Sequence, residues 1–125
     1  DLAEGKCEIA RRDTLEKELV DIASVVELAE QRLQDIQKNL FDKALKFRLD
    51  NTREVNTWEE FVETLEKEGG FISAHWDGTP ETEEKIKELT KATIRCIPLD
   101  AKEEEGKCVF SGKPSNRRVI FAKAY

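Results

Sequence analysis

The chain has 125 residues and a formal net charge of −6, because 27 acidic side chains outnumber 21 basic ones. This length suits one ordinary domain or the joined parts of two smaller ones. The acidic balance argues against non-specific binding to nucleic acid or to an anionic membrane. Charged and hydrophobic residues each make up 38% of the chain, which favours a folded protein with a modest core over a disordered one.

The cysteines and the lack of long apolar runs favour a cytoplasmic location. No apolar stretch approaches the roughly 20 residues that a membrane-spanning helix needs. The three cysteines, at positions 7, 96 and 108, are odd in number and far apart, unlike the dense, even set of a secreted disulfide-rich protein. We therefore expect a cytoplasmic chain that has neither a membrane nor DNA as a partner.

A β-hairpin followed by a long helix is predicted at the start of the chain. Residues 6–12 alternate weakly between apolar and polar, Asp13-Thr14 has turn chemistry, and an apolar run resumes at Leu19. From Asp21, the expected N-cap, apolar residues recur every three or four positions. This apolar stripe consists of Val26, Ala29, Leu33, Ile36, Leu40, Ala44 and Phe47. The helix should end at residues 50–52.

The remaining residues predict an α+β unit with two layers, one sheet and two helices. Thr57 and Glu60 form a capping box for a helix that Gly69-Gly70 closes, and a second helix covers residues 82–90. Strands are predicted at residues 53–55, 71–76, 92–99, 108–110 and 119–122. The order β-α-β-α-β-β-β has no repeats and is typical of α+β domains.

Several charged groups have both a functional and an ordinary interpretation. Arg11 and Arg12, with Lys17 across the hairpin, are candidates for contact with a phosphate backbone or a base edge, and the alternative is ordinary surface charge. His75 stands in a predicted strand with no nucleophile near it in sequence, so a structural imidazole is favoured over a catalytic one. The acidic run at residues 103–105 lacks the donor spacing of a calcium loop and is read as solvated charge.

The end of the chain is basic although the whole is acidic. Residues 107–125 contain no acidic side chain, whereas they contain five basic ones: Lys107, Lys113, Arg117, Arg118 and Lys123. This asymmetry suggests an anionic neighbour, either RNA or an acidic domain surface.

Motifs at the two ends of the chain are specific enough to indicate a family. They are Ala-Arg-Arg-Asp-Thr at residues 10–14 and Phe-Ala-Lys-Ala-Tyr at residues 121–125. Together with residues 69–76, 91–98 and 112–115, they resemble the C-terminal portion of prolyl-tRNA synthetase, in the archaeal and eukaryote-like form that some bacteria also carry. The resemblance covers nearly the whole chain.

The resemblance implies a cytoplasmic, homodimeric class II aminoacyl-tRNA synthetase, which joins proline to its tRNA through a prolyl-adenylate made from ATP with magnesium. It makes residues 1–51 the end of the anticodon-binding domain and residues 52–125 the C-terminal domain. The catalytic domain and most of the anticodon-binding domain would lie upstream as intramolecular partners. The fragment would then hold no cofactor and would not be catalytic alone. The first residue is Asp and not Met, so a piece of a longer protein is expected.

The family's C-terminal domain commonly holds zinc through four cysteines. The resemblance puts these positions at Asp77, Thr82, Cys108 and Ser111, so that only Cys108 keeps a thiol. Ser and Thr hydroxyls are poor zinc ligands at neutral pH, and we expect no zinc here. Hydrogen bonds must then hold the loop, for which residues 77–80, Asp-Gly-Thr-Pro, have the turn and N-cap chemistry.

The resemblance also concerns the last residue. In the family a terminal tyrosine can reach toward the catalytic domain, so the carboxylate of Tyr125 is a candidate support for that domain's active site. The alternative is a strand end that only packs within its own domain.

A different class of function competes with the synthetase fragment. The runner-up is a free-standing RNA-binding or adaptor module that reuses these two units. It is disfavoured because half of an anticodon-binding domain, standing alone, would expose a sheet edge and an apolar face.

Overall fold

The computed structural model describes residues 2–123, apart from the side chain of Leu2. The chain forms two compact units, residues 1–47 and residues 48–125. Each unit contains its own β-sheet. No helix among the described residues is long and apolar enough to cross a membrane.

The first unit contains the predicted hairpin. Strands β1 (Lys6–Ala10) and β2 (Lys17–Asp21) are antiparallel, with Cys7 opposite Val20. The turn between them is closed by a hydrogen bond from the Arg11 amide to the Glu16 carbonyl, 2.9 Å long. The hairpin prediction is therefore confirmed.

The long helix is present, but its start and its covered face differ from the prediction. A 3-10 turn over Ile22–Ser24 precedes α1 (Val25–Asp50), and Asp21 makes no side-chain capping bond. No residue of α1 is fully buried. Two members of the predicted apolar stripe, Leu33 and Leu40, are 68% and 53% exposed.

The face of α1 that meets the hairpin is partly polar. Arg32 donates to Glu18 at 2.7 and 3.1 Å, and Asn39 donates to Asp13 at 2.6 Å. These two side chains lie on the half-buried side of the helix, whereas Leu33 and Leu40 lie on another side. The helical period was correct, but of the predicted stripe only Ile36 lies on the half-buried side, together with Leu28.

The second unit is built on a four-stranded sheet in the order β3-β4-β8-β5. β3 pairs with β4 in parallel, and the other neighbours are antiparallel. The bounds are β3 Thr52–Glu54, α2 Trp58–Lys67, β4 Phe71–His75, α3 Pro80–Thr90, β5 Ala92–Cys96, β6 Gly106–Lys107, β7 Pro114–Ser115 and β8 Arg118–Lys123. The capping box of Thr57 and Glu60 is present at the start of α2.

One face of this sheet carries the hydrophobic core. Side chains alternate along a strand, so the paired residues Ile72 and Phe121 share a face with Ala74 and Val119. All four are fully buried, and they belong to one cluster with residues of α2 and α3, among them Phe61, Leu65 and Ile86. The α+β prediction of a sheet with two helices is confirmed.

The opposite face of the same strands is polar. It carries Ser73 and His75 on β4 and Arg118 on β8, with His75 directly opposite Arg118. The segment after β5 contributes β6, which pairs with β7 in a separate two-residue ladder. The predicted strand at residues 108–110 is wrong, because these residues form the turn that connects β6 to β7.

Candidate functional site

The three basic side chains of the hairpin, Arg11, Arg12 and Lys17, differ in their exposure and in their ion pairs. The Arg11 guanidinium donates to both carboxylate oxygens of Asp13, at 3.1 and 2.8 Å, and lies 3.9 Å from Asp35. The hydrogen bond from Arg11 holds the pKa of Asp13 well below its usual range. Arg11 therefore orders the hairpin turn, and its charge is already balanced.

The other two candidates are at the surface. Lys17 pairs across the hairpin with Glu8 at 3.1 Å, with both side chains more than half exposed, so this pair is weak and easily exchanged. Arg12 is exposed, and no ion pair is formed by it among residues 2–123. Of the three, Arg12 is the one that is exposed and has no ion pair among residues 2–123.

In the second unit, hydrogen bonds to one carboxylate connect three of the four positions that the resemblance equates with zinc ligands. Asp77 follows β4, and its Oδ2 accepts hydrogen bonds from Thr82 Oγ1 at 2.8 Å and from Ser111 Oγ at 2.6 Å. Its Oδ1 accepts from the Thr79 amide at 3.0 Å and the Thr79 hydroxyl at 2.8 Å. We call Asp77, Thr79, Thr82 and Ser111 the Asp77 cluster. It joins the end of β4, the start of α3 and the β6–β7 turn.

The electrostatics of Asp77 follow from these bonds. Burial alone would raise its pKa, but the hydrogen bonds from Ser111, Thr79 and Thr82 outweigh burial and lower the pKa well below its ordinary value of 3.8. A group with a lowered folded-state pKa stabilises the fold above its unfolded pKa, and this contribution is lost as the pH falls through the folded value. At neutral pH the Asp77 carboxylate is therefore ionised and its contribution to stability is present.

The donors of this cluster do not fit a zinc ion. Four ligands about 2.1 Å from a tetrahedral zinc would lie about 3.4 Å apart, whereas Asp77 Oδ2 is only 2.8 and 2.6 Å from the two hydroxyl oxygens. Those hydroxyls also direct their hydrogens at the carboxylate. Among residues 2–123, no three His, Cys, Asp or Glu side chains are grouped as a metal site requires.

Cys108, the fourth family position, stands at the start of the β6–β7 turn. Its side chain is buried, with the residue 3% exposed. The turn is closed by bonds from the Cys108 amide to the Lys113 carbonyl at 2.8 Å and from the Gly112 amide to the Cys108 carbonyl at 3.0 Å. Cys108 and Ser111 are thus held on one tight turn, as two ligands three residues apart would be.

The polar face of the sheet holds a second cluster, made by His75, Glu104, Ser115 and Arg118. Arg118 donates to both oxygens of Glu104, at 2.9 and 3.1 Å, and to Asn56 at 2.6 Å. It also reaches the carbonyls of Val55 and Ser73. The hydrogen bond from Arg118 lowers the pKa of Glu104. This polar-face cluster ties the acidic segment to three strands.

His75 is the buried centre of that cluster. Its Nδ1 is 3.1 Å from Ser115 Oγ, and its Nε2 is 3.6 Å from Glu104. Ser115 Oγ also donates to the Arg117 carbonyl at 3.0 Å, so the side chain of Ser115 bridges the imidazole and the backbone before β8. Gly106 packs on the ring so closely that any Cβ there would overlap it. His75 is buried, as its strand position indicated, but the fold brings a hydroxyl and a carboxylate to its ring that were not visible near it in the sequence.

Two charge predictions are corrected by this cluster. Glu104, read as solvated charge, is the partner of Arg118. Arg118 was grouped with basic residues that suggest an anionic neighbour such as RNA, but its anionic neighbour is Glu104 of the same chain. Sequence reasoning missed the pair because its members are 14 residues apart on a loop and a strand. The alternation of β8, which puts Arg118 and Ile120 opposite the core face, was the available signal.

The predicted site residues therefore fall into separate groups. Asp77, Thr82 and Ser111 are brought together, and Cys108 lies on the same turn as Ser111. Tyr125 lies outside the described residues.

Comparison with known proteins shows which family this chain is similar to. A family model described as "Prolyl-tRNA synthetase, C-terminal" matches residues 58–125. A proline-tRNA ligase of Flavobacterium johnsoniae is 63% identical over 125 residues, covering 100% of this chain and 25% of the relative. Proline-tRNA ligases of Christiangramia forsetii and Chlorobaculum tepidum are 57% and 54% identical, again over 100% of this chain and over 25% and 27% of the relatives. The chain thus spans about a quarter of the length of the curated relatives it matches.

Proposed function

Because the chain belongs to the prolyl-tRNA synthetase family, as its C-terminal part, we propose that it is the non-catalytic end of a proline-tRNA ligase. The observation that carries this is identity of 63% along the whole chain. The complete protein joins proline to its tRNA, with ATP and magnesium used by the upstream domain. It works as a cytoplasmic homodimer, with tRNA and its own upstream domains as partners and with neither DNA nor a membrane.

The exposed apolar side of α1 supports a role that needs upstream residues. Leu33 and Phe41 are 68% and 63% exposed on this helix and line one shallow groove. An apolar patch of this kind usually marks an interaction surface. Residues 1–51 are, in this proposal, the end of an anticodon-binding domain whose other strands cover this side, and residues 52–125 are the appended domain.

Activity separates this proposal from a free-standing RNA-binding or adaptor module. We expect the intact polypeptide that carries this chain to catalyse proline-dependent exchange of pyrophosphate into ATP, and residues 1–125 alone to catalyse none. Removal of Tyr125 from the intact polypeptide should lower the exchange rate severalfold if its carboxylate supports the catalytic domain. An intact polypeptide inactive with proline, or a native protein of only 14.4 kDa on an immunoblot, would favour the adaptor module.

Contact between the hairpin and tRNA is the second part of the proposal, with Arg12 as the leading contact and Arg11 and Lys17 beside it. Replacing Arg12 by Glu should weaken binding of proline tRNA by about tenfold, because a charge-assisted phosphate contact is lost and a repulsion is added. The slope of log affinity against log salt should also fall by about 1.

A matched variant keeps this tRNA test specific. Lys102→Glu makes an equal change of charge at an exposed position of the second unit and should leave the affinity within about twofold of wild type. Binding curves from filter retention or fluorescence anisotropy at several salt concentrations give both quantities. Equal losses for Arg12→Glu and Lys102→Glu would reduce the effect to net charge and reject the contact.

A further inference from the structure

We propose that the Asp77 carboxylate does the cross-linking that zinc does at these positions in the family, so that this domain is held together without a metal. One carboxylate receives hydrogen bonds from all the segments that a bound ion would join. Thr79 and Thr82 belong to the start of α3, and Ser111 belongs to the β6–β7 turn, 34 residues from Asp77.

Zinc and Asp77 hold the same segments together by opposite chemistry. A zinc ion is a cation that gathers anionic thiolates, whereas Asp77 is an anion that gathers hydroxyl and amide donors. Each substituted position suits the second arrangement: Thr82 and Ser111 have a hydrogen to donate, and Asp77 has two oxygens to receive four such bonds. Replacement of only one of these residues by Cys would suit neither arrangement.

Burial supports a structural role for the cluster. Thr82 is 6% exposed, and its hydroxyl has Asp77 and Thr79 as partners. Next to it, Trp76 donates its indole hydrogen to the Thr79 carbonyl at 3.1 Å. Within residues 2–123 no buried side-chain nitrogen or oxygen is left without a hydrogen-bond partner. The cluster is complete without an added ligand.

The first test measures metal and local order in the intact polypeptide. We expect less than about one zinc per ten chains after purification without chelator, and no change in amide hydrogen exchange when a chelator is added. Asp77→Asn should speed exchange of the Cys108, Val109 and Gly112 amides about tenfold, because the turn loses its charged anchor. Asp100→Asn, the same change at an exposed loop residue, should leave these rates as in wild type.

A second variant keeps the proposal testable if Asp77→Asn fails to fold. The triple change Asp77→Cys, Thr82→Cys and Ser111→Cys, with the native Cys108, should bind one zinc per chain and recover slow exchange only when zinc is present. Adding Cys108→Ser to that triple variant should weaken zinc binding at least tenfold.

Three results would overturn the proposal. About one zinc per wild-type chain would mean that a metal is held after all. Wild-type exchange rates in Asp77→Asn would mean that the carboxylate is not the anchor. Failure of the triple variant to bind zinc would mean that the four positions do not converge. None of these depends on proline activation, so the proposal can fail while the proposed function stands.

Discussion

Replacing Arg118 by Met is expected to destabilise the second unit by about 3 kcal/mol. The Arg118 side chain is only 13% exposed, and its guanidinium donates to the Val55 carbonyl at 3.1 Å and to Asn56 at 2.6 Å. Hydrogen bonds from a charged group contribute roughly 1.5–3 kcal/mol each, and buried acceptors left without a donor add a desolvation cost. Met keeps most of the side-chain volume, so the loss reports on the bonds and not on a cavity.

Urea unfolding followed by tryptophan fluorescence measures the free energy of unfolding of the second unit, because both tryptophans, Trp58 and Trp76, belong to residues 48–125. The matched control is Arg117→Met at the neighbouring exposed position, which should change stability by no more than about 0.5 kcal/mol. The acidic segment should also become sensitive to trypsin at Lys102 in Arg118→Met, since Glu104 loses its anchor. Equal stability of the two variants would show that the Arg118 bonds do not hold the fold.

Replacing Phe61 by Ala is expected to cost about 4 kcal/mol. Phe61 is 0% exposed, and its ring stacks on Trp58 with centroids 5.4 Å apart and meets Phe121 edge-on at 5.3 Å. Phe→Ala changes in cores cost about 3–5 kcal/mol because apolar contacts are lost and a cavity remains. A unit of this size has a total stability of roughly 4–12 kcal/mol, so the substitution should remove between about a third and all of it.

The same urea titration tests this prediction, with Leu89→Ala as the control. Leu89 is 66% exposed on α3, so its truncation should cost less than about 1 kcal/mol. Because Phe61 touches Trp58, the folded baseline of the fluorescence will shift, and the midpoint and slope carry the comparison. A loss below about 1 kcal/mol in Phe61→Ala would mean that the core can close over the missing ring.

Local signals in the sequence were sufficient for most of the secondary structure. The capping box at Thr57 and Glu60, the glycine at position 69 with φ +65° and the alternation along β4 depend on residues a few positions apart. Such signals act through backbone geometry alone. The misread strand at residues 108–110 failed for the opposite reason, because a short apolar run is covered equally well in a turn.

The Asp77 cluster shows where a resemblance helps and where it stops. It singled out positions 77, 82, 108 and 111, and chemistry then argued against zinc at them. That Asp77 would receive the hydrogens of Thr82 and Ser111 could not be read from the sequence, because only the fold brings the end of β4 to a turn 34 residues later.

By itself, the sequence determined the family and most of the helices and strands, though not β6 and β7, and the residue types at positions 82 and 111 argued against zinc ligands there. Those depend on residue chemistry and on short-range spacing. The tertiary structure alone decided which side of α1 is covered, that Glu104 belongs to Arg118, and that His75 lies buried between Ser115 and Glu104. Each of these depends on strand register and on loops that bring distant residues together, and the free energy of such contacts exists only once the chain has folded.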